Sequence, residues 1–346
     1  MKQTLSDSRA GVAVFVAACV LIVFSGCTQA ASFFLPPAKP DSSHFGGRGV
    51  RAHDPSTIVK CGDEYWVFYT GVGIPSYHSK DLITWKSGPP VFNRAPDWAA
   101  AAVPGNQNTH YWAPDLIHLG DRYLLYYSVS TFGSNVSAIG LATTPTIDPG
   151  DSKFRWKDEG VVVQSFRTNQ FNTIDPAVTL DEQGNLWLVF GSYWSGIKLI
   201  QLDPKTGKRI APDSPVYSLA HNDSIEAPFI WQHEGFYYLF VNWGQCCRGV
   251  NSTYEIRVGR SQKISGPYLD RDGVDLLNGG GSLLLASEPP FIGPGHAGIF
   301  TERGTNWFGC HFYDGTRRGA PTLAIRPMHW TADGWPVVDL PDFRSH

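Results

Sequence analysis

The sequence predicts an all-β chain folded as a five-bladed β-propeller. Three observations point there. The first is an internal repeat, read five times along the 346 residues: an opening that is acidic in four copies and histidine in the fifth, usually beside proline, then an apolar strand, a turn and an aromatic strand. The second is spacing. The openings recur about every 50 to 70 residues, the period of a four-stranded propeller blade. The third is a lack of helical signal: short apolar-aromatic segments alternate with Gly, Asp, Asn and Pro, and none has a 3.6-residue period.

Residues 1–27 precede the repeats. Lys2 and Arg9 precede an apolar run from Gly11 to Phe24 that ends in small residues and Cys27. This pattern is a secretory signal peptide, and the run is short for a membrane span. The phrase VFSGC resembles a bacterial lipoprotein box, with Phe24 where leucine is usual. Lipidation of Cys27 would hold the protein on the cell envelope, with the catalytic body outside the membrane. Cleavage near Thr28–Ala30 would release it instead. Residues 28–51 are rich in Pro, Ser and Gly and read as a linker. Residues 52–346 form the propeller.

The first copy is HDPSTIV then CGDEYWVFYTG, from His53, continued by YHSKDLITWK. The second is WAPDLIHL then GDRYLLYYS, from Trp112, continued by SAIGLATTP and FRWKDEGVVV. The third is TIDPAVTL then GNLWLVFGSYW, from Thr173, with GIKLIQLDPKTGK after it. The fourth is IEAPFIW then GFYYLFVNWG, from Ile225, with YEIRVGRSQKISGPYLD after it. The fifth is GPGHAGIF then GTNWFGCHFYDG, from Gly293, with TLAIRPMHWTADGWPVV after it. Each copy therefore supplies four strands. Because the first strand of a blade lines the channel, Asp54, Asp115, Asp175, Glu226 and His296 are expected to converge on one face.

Composition removes some functions. The net charge is -3, the sequence pI about 6.4, and no basic field exists, so nucleic acid is excluded as a partner. Processing leaves Cys61, Cys246, Cys247 and Cys310, none at zinc spacing. Export permits pairing, three connectivities stay open, and a ring between the adjacent Cys246 and Cys247 would be tight. All four are read as structural or free, with no catalytic role.

The chemistry lies in the acids. Asp54 and Asp175 precede prolines, which favour extended backbone in the residue before them and would hold both side chains inward. Acids crowded in a narrow channel cannot all ionise normally, so repulsion and burial raise at least one. One protonated and one ionised carboxyl are what glycoside hydrolysis uses, and the longer Glu226 suits the acid. Sugars stack on aromatic faces. Trp112 is the first choice of platform, and Trp194 in GSYW, with Ser192, should lie near Asp175. Trp66, Trp85, Trp156 and Trp187 read as blade core. Asp115 is held as structural or close to the substrate.

In this order, HDPS, WAPD, TIDP, IEAPF and GPGHAG resemble glycoside hydrolase family 43. STFGSNVSAIGLATT and NWGQCCRG resemble, more narrowly, its arabinan endo-1,5-α-L-arabinanases. The resemblance covers roughly residues 50 to 340 and implies a five-bladed propeller that cleaves internal α-1,5-L-arabinofuranosyl linkages with inversion. It makes Asp54 the general base, Glu226 the general acid, and Asp175 the residue that tunes and orients the acid. It places Gly133, Asn172, Ser192 and Trp194 on sugar. It also makes His296 a ligand of a calcium ion otherwise held by water, although calcium prefers oxygen. Alternatively, a neutral His296 hydrogen-bonds Asp175 or water. The expected partner is arabinan or its oligosaccharides, and the expected assembly is a monomer. The rival readings are an exo-acting arabinanase, an α-L-arabinofuranosidase or a β-xylosidase of the same family, and a non-catalytic carbohydrate-binding propeller.

Overall fold

The computed structural model describes residues 49–106 and 109–339. The expected signal peptide, Cys27 and most of the linker lie outside the described residues. Blade 1 contains β1 (Val59–Cys61), β2 (Glu64–Phe68), β4 (Ser76–Ser79) and β5 (Lys86–Gly88). The short β3 (Gly71–Val72) leaves it to pair with the first strand of blade 2. Blade 2 contains β6 (His110–Leu119), β7 (Arg122–Val129), β8 (Ser137–Thr144) and β9 (Lys157–Ser165). Blade 3 contains β10 (Ala177–Leu180), β11 (Leu186–Phe190), β12 (Ile197–Leu202) and β13 (Tyr217–Ala220). Blade 4 contains β14 (Ile225–His233), β15 (Phe236–Trp243), β16 (Glu255–Ser261) and β17 (Ser282–Leu285). Blade 5 contains β18 (Phe291–Glu302), β19 (Thr305–Asp314), β20 (Ala320–Trp330) and β21 (Pro336–Val338). Within a blade every pairing is antiparallel and joins neighbours in sequence, as four-stranded meanders require.

Local chemistry explains the hairpins. The turns after β1, β6, β14 and β18 are two-residue links, Gly62-Asp63, Gly120-Asp121, Glu234-Gly235 and Arg303-Gly304. Their glycines have φ of 61°, 64°, 78° and 76°. Such turns match the twist of paired strands and need this left-handed conformation. The aromatic second strands carry the core. β7, β11 and β15 are buried along nearly their whole length because neighbouring blades cover both faces. Trp66 and Trp187 are buried, while Trp85 and Trp156 pack partly buried against core clusters. All four tryptophans thus stand where the sequence reading put them.

Two devices join blades. Val50 and Arg51, expected in the linker, already belong to the disc: Leu323 N–H donates to Val50 O at 3.0 Å, and Arg51 bridges Thr322. This clasp lies beside β20, so the residues just ahead of blade 1 close the last blade. The second device is Asp115. It is buried, and its two oxygens accept the Thr57 N–H of blade 1 and the Val178 N–H of blade 3, each at 2.9 Å. One carboxylate of blade 2 thereby staples both neighbours. Burial, opposed by these amide bonds, pushes its pKa up to about 6. Asp115 is therefore structural.

Asp115→Ala leaves two buried amides without acceptors and should cost about 2–5 kcal/mol of stability in urea unfolding. A loss below about 1 kcal/mol would show that the staple carries no weight.

Candidate active site

The residues that aim into the channel share a backbone feature rather than a side-chain type. Asp54, Ala113, Asp175, Ala227 and His296 have φ of 49°, 44°, 57°, 51° and 64°. Left-handed backbone costs a non-glycine residue about 1–2 kcal/mol, and here it recurs once per blade, at the same place. The expectation that proline holds Asp54 and Asp175 in extended backbone is therefore wrong. The reason is a bulge. Around Asp54, Thr70 N–H donates to His53 O and Ser56 N–H to Phe68 O, so Asp54 and Pro55 bulge between two ladder bonds. The β6–β7 register shifts between Trp112 and Asp115, and that of β14–β15 between Glu226 and Phe229. The equivalent positions are thus those five residues. Glu226 stands one residue before its position, and Asp115 two residues after.

A bulged residue loses its ladder partner, so its buried N–H needs another acceptor. In every blade a side chain of the preceding blade supplies it. Asp54 N–H donates to His311 Nδ1 at 3.1 Å, and Ala113 N–H to Thr70 Oγ1 at 2.8 Å. Asp175 N–H donates to Ser128 Oγ and His296 N–H to Asn242 Oδ1, both at 2.9 Å. Ala227 N–H donates to Asp175 Oδ2 at 3.1 Å. This last bond uses one of the site's own acids as acceptor. Gly295 belongs to the same arrangement: a Cβ there would lie 2.4 Å from the Tyr254 ring.

Asp54, Asp175 and Glu226 line one cleft of about 1410 Å³, to which all five blades contribute. Their environments differ. His53 Nδ1 lies 2.8 Å from Asp54 Oδ2, and Thr70 Oγ1–H donates to the same oxygen at 2.6 Å. Burial would raise the Asp54 pKa, but the charge and hydrogen bond of His53, aided by His296 and His311, overcome it. Asp54 is held well below the usual carboxylate range. Burial likewise opposes protonation of His53, and the Asp54 and Glu226 charges reverse this and raise it. Among the described residues no cation forms an ion pair with Glu226. The hydroxyls of Tyr254 and Ser192 donate to its two oxygens, the latter at 2.8 Å. Burial raises its pKa despite those bonds. Burial and then the Glu226 charge push Asp175 well up. The cleft thus holds one carboxylate whose ionised form is favoured and a pair whose protonated forms are favoured.

The sugar-contact candidates reach the same cleft: Trp112, Gly133, Asn172, Ser192 and Trp194 all line it. Trp194 is 41% exposed, as a stacking surface must be. Asn172 and Ser192 are buried, and each already accepts or makes a bond inside the site, Asn172 from Ser137 and Ser192 to Glu226. The sequence reading missed several residues. Phe132 is 80% exposed and lies 4.9 Å from Trp112, ring to ring, which widens that platform. His53 and Tyr254 were quoted within HDPS and YEIRVGR but given no role. Tyr313 and His311 lie in GCHFYDG, where alternation along β19 puts both on one face. Cys246 and Cys247, read as structural or free, form a disulfide at the cleft wall, whereas Cys61 and Cys310 are free thiols.

His296 is buried and is not among the cleft-lining residues. Its Nδ1 lies 3.6 Å from Asp54 Oδ1. A calcium ion takes about six to eight oxygens. Here the protein offers an imidazole and one carboxylate oxygen, so these residues fit calcium only if water fills most of the shell. His53, Asp54 and His311 also lie close enough to share an ion. However, His311 Nδ1 accepts the Asp54 amide, which leaves its Nε2 protonated and without a lone pair to give.

Comparison with known proteins agrees with this geometry. The sequence pattern of glycosyl hydrolases family 43 matches residues 49–336. An extracellular endo-α-(1→5)-L-arabinanase of Bacillus subtilis (strain 168) is 40% identical over 322 residues, 90% of this chain and 96% of that protein. An extracellular exo-α-(1→5)-L-arabinofuranosidase of Cellvibrio japonicus (strain Ueda107) is 38% identical over 315 residues, 87% of this chain and 90% of that protein. The solved structure of Cellvibrio cellulosa α-L-arabinanase complexed with arabinohexaose superposes with a TM-score of 0.80. It is 38% identical and covers 84% of this chain and 96% of that one.

In His53→Ala the cation and hydrogen bond that offset burial are gone, so the Asp54 carboxyl should titrate at higher pH than in the wild type. Carbon-13 NMR of the carboxyl group reads this directly. An unchanged Asp54 titration would remove His53 from the account.

Proposed function

The chain belongs to glycosyl hydrolases family 43, and we propose that it cleaves internal α-1,5-L-arabinofuranosyl linkages of arabinan with inversion. One observation carries the chemistry: the surroundings of two acids in one cleft push their pKa values in opposite directions. Asp54, held ionised by His53 and Thr70, takes a proton from the attacking water. The water oxygen bonds to the anomeric carbon on the face opposite the leaving group. Glu226, whose protonated form burial favours, gives its proton to the glycosidic oxygen as the C–O bond breaks. Asp175, its own pKa pushed up by burial and then by the Glu226 charge, is fixed beside that acid by the Ala227 amide. Exchange with solvent then resets both acids.

The endo reading rests on the size of the cleft. Its volume of about 1410 Å³ exceeds the roughly 300–1,000 Å³ of a small-molecule pocket, and it suits several sugar units. The exo reading has its own support in the Cellvibrio japonicus relative. We further place the protein outside the cytoplasm, from the residue 1–27 pattern, with Cys27 as its lipid anchor on the cell envelope. The same reading gives His296 a calcium ion with a largely aqueous shell. When bound, the ion would supply positive charge that favours the ionised form of Asp54.

Linear arabinan should lose viscosity well before free arabinose accumulates, as followed by viscometry beside product chromatography. Arabinose as the sole early product would establish the exo reading. Glu226→Gln should lower kcat about a hundredfold to ten-thousandfold while arabino-oligosaccharide still binds by calorimetry. Exhaustive chelation should lower the melting temperature, and calcium should restore it. No change on chelation would return His296 to a purely hydrogen-bonding role.

A further inference from the structure

We propose that the Cys246–Cys247 disulfide is a positioning element of the catalytic centre: it fixes the amide that holds Tyr313, and Tyr313 holds His53 against Asp54. The inference rests on the assignment of Asp54 as the base.

The path is continuous. Cys247 N–H donates to Tyr313 Oη at 2.7 Å. Tyr313 Oη lies 2.8 Å from His53 Nε2, and His53 Nδ1 lies 2.8 Å from Asp54 Oδ2. Cys247 Sγ is itself 3.7 Å from His53 Nε2. The disulfide therefore touches His53 directly and also reaches it through a tyrosine.

The loop shows why a covalent link is needed there. Its base is held by its own bonds. Gln245 N–H donates to Thr253 Oγ1, Thr253 N–H to Gln245 O, and Arg248 N–H to Ser252 Oγ, all at 3.0 Å. The tip is different. Cys247 is exposed and has φ of 66°, a conformation that L-residues avoid. Bonding between neighbouring cysteines encloses their shared peptide in a small ring, so the plane of the Cys247 N–H cannot turn freely. Opened to two thiols, the tip loses that constraint, and the amide can rotate away from Tyr313.

The test compares Cys246→Ser/Cys247→Ser, Tyr313→Phe and their combination on linear arabinan. In the serine variant kcat should fall about tenfold to a hundredfold, the scale of a misplaced catalytic group, with KM little changed. Tyr313→Phe should give a similar loss, and the combination should add nothing further, because both act on one path. Excess dithiothreitol should reproduce the loss in the wild type, passing two electrons and two protons to the disulfide as it closes its own, and reoxidation should reverse it. Full kcat in the serine variant or in the reduced wild type, losses that multiply, or a change confined to KM would each overturn the proposal. If the serine variant does not fold, reduction of the folded wild type decides. Hydrogen exchange at the residue 247 amide provides a readout that needs no substrate. Faster exchange on reduction is expected even if the protein proves inactive on arabinan. Unchanged protection would overturn the proposal on its own.

Discussion

The disc depends on one bond made five times: the N–H of a left-handed residue at the mouth of each blade, accepted by a side chain of the blade before it. The bulge that turns a residue toward the axis also strips its amide of a ladder partner. Burial makes that loss costly, so the neighbouring blade must answer it. Fold and site are therefore not separate problems here. The feature that turns Asp54 and Asp175 inward is also the one that locks adjacent blades in register. His311 and Thr70 show this plainly, because each satisfies a bulged amide and also borders Asp54.

The acids divide their work according to what surrounds them, not by chemical type. Asp175 is buried and Asp54 partly buried, and both precede proline and occupy the bulge position. Asp54 meets an imidazole that can carry charge, while Asp175 meets an amide and a second acid. Burial pushes both upward, and only the first has a partner able to reverse it. Asp115 marks the limit of the repeat as a guide to chemistry. Its carboxylate is buried between two amides and does not line the cleft.

Much of this was legible in the sequence. The five copies give the blades, and the order of their openings points to the family and to the three acids. The register of the copies was not read correctly. Aligning the acids equates Asp115 and Glu226 with Asp54. Aligning Asp54-Pro55, Ala113-Pro114, Asp175-Pro176 and Ala227-Pro228 places four of the five bulges, and only His296 lacks the proline. Proline was treated as a constraint toward extended backbone, whereas tertiary packing imposed the left-handed form. His53 escaped notice because its role depends on Tyr313, which is 260 residues away. The Cys246–Cys247 bond was discounted because adjacency in sequence argues against pairing, and only the surrounding cleft shows what such a bond holds.

The clasp at Val50 and Arg51 has a further meaning. Blade 5 closes against blade 1 through shared core, with Ile58 and Val67 clustering with Leu323 and Ile325, although no peptide joins the two blades there. A ring closed by packing has no privileged first blade. The covalent break could be moved to another inter-blade crossing, with the present ends tied together, and the same five inward residues would still meet. The order of the acids along the chain is thus a fact of ancestry rather than of mechanism.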